Sequence, residues 1–96
     1  MYNFKPTRKR DPKLLEATRK KSCIICNNPS EGHHIITRGA GGGDDEWNIL
    51  PLCRREHQQV HAIGLKEFAI RWPSVRMWLK RNGWQFDEYS GKWRHD

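Results

Sequence analysis

The sequence predicts a small α+β protein assembled around two clusters of metal-ligating side chains. At 96 residues, of which 35% are hydrophobic, the chain can bury only a marginal core, and a bound metal is the expected staple. All three cysteines and four of the five histidines lie between positions 23 and 61. Short β-branched runs alternate with helical apolar stripes, the mixture that gives both strands and helices.

Charge narrows the function classes. Eighteen Lys plus Arg against eleven Asp plus Glu leave a net +7, which suits a polyanionic partner, with nucleic acid first at this size. Solubility alone is the plainer explanation of the same surplus. No apolar run is long enough for a signal peptide or a membrane span, so the expectation is an intracellular protein with reduced thiols and no membrane partner. Three cysteines cannot all pair within one chain, which favours metal over disulfide.

Residues 1–10 read as a basic flexible arm, and 11–96 as a single domain. Asp11-Pro12 starts a helix, an N-cap followed by proline at the first helical position, and that helix is predicted over 12–20. Cys23-Ile-Ile-Cys26 with Asn27-Asn28-Pro29 predicts a knuckle presenting two thiolates to one ion. A redox pair is the rival, but no βαβ pattern surrounds it. A strand is predicted over 33–37, then a glycine-rich loop over 38–46 that lacks the Lys-Ser/Thr ending of a P-loop. A second short strand falls over 47–52. A helix follows from Cys53 to about Ala62, stopped by Gly64, and two further helices cover 65–72 and 73–81. In the last of these Val75, Trp78 and Leu79 face inward and Asn82-Gly83 makes the stop. The tail, 84–94, predicts a hairpin turning at Ser90-Gly91, with a bulge or an irregular tail where 86–89 break the alternation. The five Trp are expected to supply much of the core, and His95 to be a solvated tail residue.

The histidines carry the chemistry. His57 and His61 are four apart on a helix, so their imidazoles share a face. Neighbouring residues of a strand point to opposite sides, so His33 and His34 should serve different purposes, one as ligand and one as base. A neutral imidazole can take a proton from water near pH 7. Solvated residues on an amphipathic helix are the alternative for His57 and His61 taken alone.

With Asn48 between them, this order and spacing resembles the HNH endonuclease family, also called the ββα-metal or His-Me finger, over about residues 23–61. The resemblance implies a ββα-metal core, here 23–63, bearing a zinc knuckle and flanked by short helices and the hairpin. It implies that His34 is the general base, that Asn48 holds the loop orienting the base or joins the metal, and that His33, His57 and His61 bind one divalent ion (Mg2+, Mn2+, Ni2+ or Zn2+). It implies one-metal hydrolysis of DNA leaving 5′-phosphate and 3′-hydroxyl ends. The continuation Gly-Leu-Lys-Glu-Phe at 64–68 looks like that of small phage proteins, which implies DNA processing, recombination or packaging in the bacterial host cytoplasm alongside other phage DNA-processing proteins.

Zinc-bearing members carry a second Cys-x-x-Cys, and here its last position is Glu56. A structural zinc at Cys23, Cys26 and Cys53 is expected, with Glu56 or His57 as fourth ligand, or with no metal and three buried thiols. Arg38, Arg54 and Arg55 are candidate phosphate contacts. The rival reading is a non-catalytic, zinc-stabilised DNA-binding module.

Overall fold

The computed structural model describes residues 9–95, so most of the basic arm expected over 1–10 lies outside the described residues. The chain order is α1 (Pro12–Lys20), β1 (His33–His34), β2 (Ile49–Leu50), α2 (Arg54–Arg71), α3 (Pro73–Arg81), β3 (Trp84–Asp87) and β4 (Lys92–His95). This is the α+β class the sequence predicts. Its centre is a ββα unit in which antiparallel β1 and β2 pair His33 with Leu50 and His34 with Ile49, and α2 follows.

Helix α1 begins as its first residues dictate. The Asp11 carboxylate accepts from the Leu14 backbone N–H at 3.0 Å, and Pro12 fills the first turn, where no N–H is needed. The knuckle closes with Cys23 N–H donating to Asn28 O at 2.7 Å and Asn27 N–H to Cys23 O at 3.0 Å. Asn27 sits at φ +64°, a left-handed conformation that asparagine tolerates better than most residues. Ile24 N–H donating to Pro51 O and Glu31 N–H donating to Leu52 O tie the knuckle to the segment that leads into α2.

Both predicted strands are shorter than expected, for a physical reason. Beyond His34 the ladder is taken over by a side chain: Asn48 Oδ1 accepts from Ile36 N–H at 2.8 Å, and Asn48 Nδ2 donates to Ile36 O at 3.0 Å. A 3₁₀ turn over Glu46–Asn48 swings Asn48 into that position and consumes the start of the second predicted strand.

Gly64 interrupts α2 at φ +84°, where a β-carbon would meet no neighbour; the glycine serves backbone conformation, not space. The helix therefore runs as the two segments the sequence predicts. In α3 the residues Val75, Trp78 and Leu79 are buried, as expected from the stripe. They join Leu50, Leu52, Val60, Phe68 and Trp84 in the core, to which Cys23 and Cys53 also belong. Two of the five tryptophans, Trp78 and Trp84, belong to that core, and Trp47, Trp72 and Trp93 pack against it.

The hairpin forms without the expected bulge. Its register is regular from Trp84–His95 to Asp87–Lys92: of the residues that break the alternation, Phe86 and Asp87 pair in the ladder and only Glu88 and Tyr89 enter the turn. Asp87 holds that turn, accepting from Tyr89 N–H at 3.1 Å and Ser90 Oγ at 2.9 Å. His95 is a further correction. It stacks on Trp47 at 3.8 Å with 12° between the planes, and its Nε2 lies 2.8 Å from Asn82 O, so the strand end is pinned rather than solvated.

Candidate metal centre and the histidine cleft

Pairing in β1 and the pitch of α2 bring three imidazoles together. The ring centroids of His33, His57 and His61 lie 5.0, 5.0 and 4.9 Å apart, nearly an equilateral triangle, and one nitrogen from each falls within 4.8 Å of the others. This group could hold a metal ion. The second such group is Cys23, Cys26 and Cys53, whose sulfurs also lie within 4.8 Å of one another. Glu56 is not part of that group, and His57 belongs to the histidine cluster.

The histidine cluster opens into a cleft of about 190 Å³ lined by Gly32, His33, His34, Thr37, Arg38, His57 and His61. His33 is the buried member, and burial, with His57, His61 and His34 close by, lowers its pKa to about 3. It is neutral at pH 7 and ready to donate a lone pair. A group whose folded pKa lies below its unfolded value of about 6.5 remains neutral while the unfolded chain takes up a proton. Without added divalent ions, its contribution to stability falls as pH drops from about 6.5 towards 3, by up to ~1.4 kcal/mol per pH unit. Urea denaturation of wild type and His33→Asn between pH 6 and 4 measures this, and the wild type should show the steeper loss.

Two carboxylates that sequence reasoning did not single out hold the histidines. His34 Nε2 lies 2.9 Å from Asp44 Oδ1. Burial opposes ionisation of Asp44, but His34, the Asp11 backbone N–H and Arg38 together keep its carboxyl below the ordinary range. An ionised carboxylate only accepts hydrogen bonds, so the proton sits on Nε2 of His34 and the lone pair on Nδ1. Glu31 does the same for a ligand candidate. Its Oε1 lies 2.9 Å from His57 Nδ1, leaving Nε2 for a metal, and the His57 and Arg54 contacts lower the Glu31 pKa. Asp44 lay in an Asp-Asp-Glu run with nothing to distinguish it, and Glu31 in a loop with no period. The only signal was that an imidazole ligand or base usually has a carboxylate or carbonyl behind it.

Asn48 is fully buried and also donates to Gly43 O at 3.1 Å, clamping the glycine loop to the end of β1. The loop approaches so closely that a β-carbon on Gly42 would come within 1.8 Å of Ile36 O. Only glycine fits there, and the loop so placed presents Asp44 to His34. Asn48→Ala leaves Ile36 N–H, Ile36 O and the buried Gly43 O without their side-chain partner and should cost about 2–4 kcal/mol, read as a lowered denaturation midpoint, with Asp44 displaced as well.

Of the three predicted phosphate contacts, Arg38 lines the cleft and pairs with Asp44 at 3.5 Å. Arg54 pairs with Glu31 at 3.1 Å, and Arg55 with Glu56 at 3.2 Å. At the sulfur group, Cys26 Sγ and Cys53 Sγ are 3.5 Å apart. Burial pushes the Cys53 thiol up, while the Asn28 backbone N–H draws the Cys26 thiol down.

A family model described as "Protein of unknown function (DUF968)" matches residues 1–82. The chain belongs to the DUF968 family. Over 41 residues it is 46% identical to the "Probable mobile endonuclease E" of Enterobacteria phage T4, covering 43% of this chain and 29% of that protein. It is 36% identical over 47 residues to "Anaredoxin" of Nostoc sp., which covers 46% of this chain and 62% of that protein. A third match, 42% over 33 residues, is to an uncharacterized 38.5 kDa protein in psbA intron 1 of Chlamydomonas moewusii, covering 34% of this chain and 10% of that protein. In each case the match spans less than two thirds of the relative's length. No solved structure matches the chain. Among the described residues no helix is long and apolar enough to cross a membrane.

Proposed function

We propose that this DUF968 member is a metal-dependent endonuclease of the HNH type, cutting DNA phosphodiester bonds by hydrolysis, in phage DNA processing within a bacterial host cytoplasm. The observation that carries the reading is the histidine cleft, where three imidazoles converge on one point and a fourth, His34, is held by a carboxylate beside them. Similarity to a probable phage endonuclease supports it.

The donor set fits a divalent ion at His33, His57 and His61. Three nitrogens suit Mn2+, Ni2+ or Zn2+ better than Mg2+, which prefers oxygen. Such an ion supplies Lewis acidity for the phosphate oxygens. His34 Nδ1 takes the proton of the attacking water, and Asp44, accepting from Nε2–H, holds the imidazole in the tautomer whose lone pair is on Nδ1. Arg38, at the rim of the cleft, meets a phosphate oxygen of the bound strand.

Cys23, Cys26 and Cys53 are proposed to hold a structural zinc. Glu56 is proposed as its fourth ligand, reached by a shift of the side chain from its place outside the sulfur group, because Glu56 Oε2 is the one buried side-chain oxygen or nitrogen lacking a hydrogen-bond partner among the described residues. Three thiols meeting at one point favour a metal over a redox pair.

The test is conversion of supercoiled plasmid by the purified protein with and without added Mn2+, Ni2+, Zn2+ or Mg2+. Nicking that requires the ion is expected, with a single zinc per chain retained in elemental analysis. DNA binding with no cleavage in any ion would sink the enzyme reading in favour of a zinc-stabilised DNA-binding module.

A further inference from the structure

A groove between the second half of α2, α3 and the C-terminal hairpin plays no part in the chemistry above. It encloses about 270 Å³ over a floor that includes Ala69, Phe86 and Trp93. Phe86 is 38% exposed and Ile70, at the groove's edge, 62%. Phe86 and Trp93 are opposed across the strands at 5.5 Å, edge to face, so each fixes the other's ring. Lys66, Arg76 and Lys80 stand around the floor, with no acidic residue among the described residues of the lining. Arg76 is held there by Nη1 donating to Ala69 O at 3.1 Å.

A second hollow, about 340 Å³, shares Lys66 and Trp93 with the first, adds Lys92, and again has no acidic residue among the described residues that line it. It reaches Ile35 and Ile36, the residues that directly follow His34. The two hollows form one trough running from the segment beside the histidine cleft to an aromatic pocket rimmed with cations.

We infer that this trough binds an unpaired segment of the nucleic-acid substrate, one base entering the Phe86–Trp93 pocket while its phosphates lie against Lys66, Arg76 and Lys80. The inference rests on the nuclease reading for the identity of the polyanion. Its own support is charge complementarity and the alternation of planar apolar surface with cations, which matches the repeat of a single strand. A duplex keeps its bases stacked and has none to offer the pocket.

The test measures binding of fluorescein-labelled DNA by anisotropy, without added divalent ion. The ligands are a blunt duplex, the same duplex with an unpaired flank of about four nucleotides, and one whose flank is abasic. The flank should tighten binding by about tenfold, a stacking-sized gain, and the abasic flank should lose most of it. Lys66→Glu with Lys80→Glu should erase the preference while leaving hydrolysis of bis(p-nitrophenyl) phosphate, which needs only the cleft, unchanged. Equal affinity for blunt and flanked duplex overturns the proposal, as does an abasic flank that binds as well as the normal one. Binding to phosphatidylglycerol vesicles that the double variant abolishes, with no flank effect, reassigns the groove to a lipid surface. A flank preference with no hydrolysis of the small diester in any ion upholds the groove and sinks the nuclease reading.

Discussion

His34→Ala should lower the rate of metal-dependent plasmid nicking by about 10²- to 10⁴-fold, the range removed with a positioned general base. The loss should come without loss of metal, because the side chain removed is not one of the three converging imidazoles. Isothermal titration of the variant with Mn2+ or Ni2+ should give an affinity within a few-fold of wild type. Cleavage that survives unchanged would remove His34 from the mechanism. Asp44→Asn extends the test. The carboxylate can only accept, which fixes the proton on Nε2 of His34; an amide can also donate, which admits the tautomer whose Nδ1 already carries the proton. A fall of about 10- to 10³-fold in kcat is expected, with KM for the plasmid little changed. Because Asp44 also accepts from the Asp11 backbone N–H at 3.0 Å, thermal denaturation of the variant must be measured beside its kinetics. A rate that falls while the fold holds marks Asp44 as a positioning residue for the base.

The histidine triangle was legible because local rules determine it. A four-residue step on a helix and the alternation of a strand fix directions without knowledge of the rest of the chain. The helix starts at Asp11 and Pro73 and the break at Gly64 were legible for the same reason. What could not be read depends on contacts distant in sequence. Asp44 faces His34 across ten positions and Glu31 faces His57 across twenty-six, and no pattern marks either acid. The length of the strands was misjudged because a side chain, Asn48, supplies the hydrogen bonds that a neighbouring strand was expected to give. His95 looks solvated in the sequence because its partners, Trp47 and Asn82, adjoin it only once the hairpin folds back.

Glu56 offers a second large effect, and its sign decides between two accounts. The residue is only 3% exposed, and the carboxyl oxygen Oε2 meets no donor among the described residues. If it ligates no metal, the group is a buried polar liability, and Glu56→Leu should stabilise the chain or leave it unchanged with or without zinc. If it completes the site of Cys23, Cys26 and Cys53, the same substitution must act oppositely in the two states. The metal-free protein should gain stability, while the zinc-bound protein should lose several kcal/mol, because structural zinc affinity is folding free energy in a chain this short. Glu56→Cys supplies a fourth thiolate and should retain zinc at least as tightly as wild type. In the cobalt-substituted protein it should raise the sulfur-to-metal charge-transfer absorption by about one third, from three thiolates to four. Cys26→Ser calibrates the scale, since removing a ligand common to every metal account should leave the chain largely unfolded at 37 °C whatever Glu56 does. An absorption that does not rise in Glu56→Cys, together with a zinc-bound Glu56→Leu protein as stable as wild type, would assign the fourth position elsewhere.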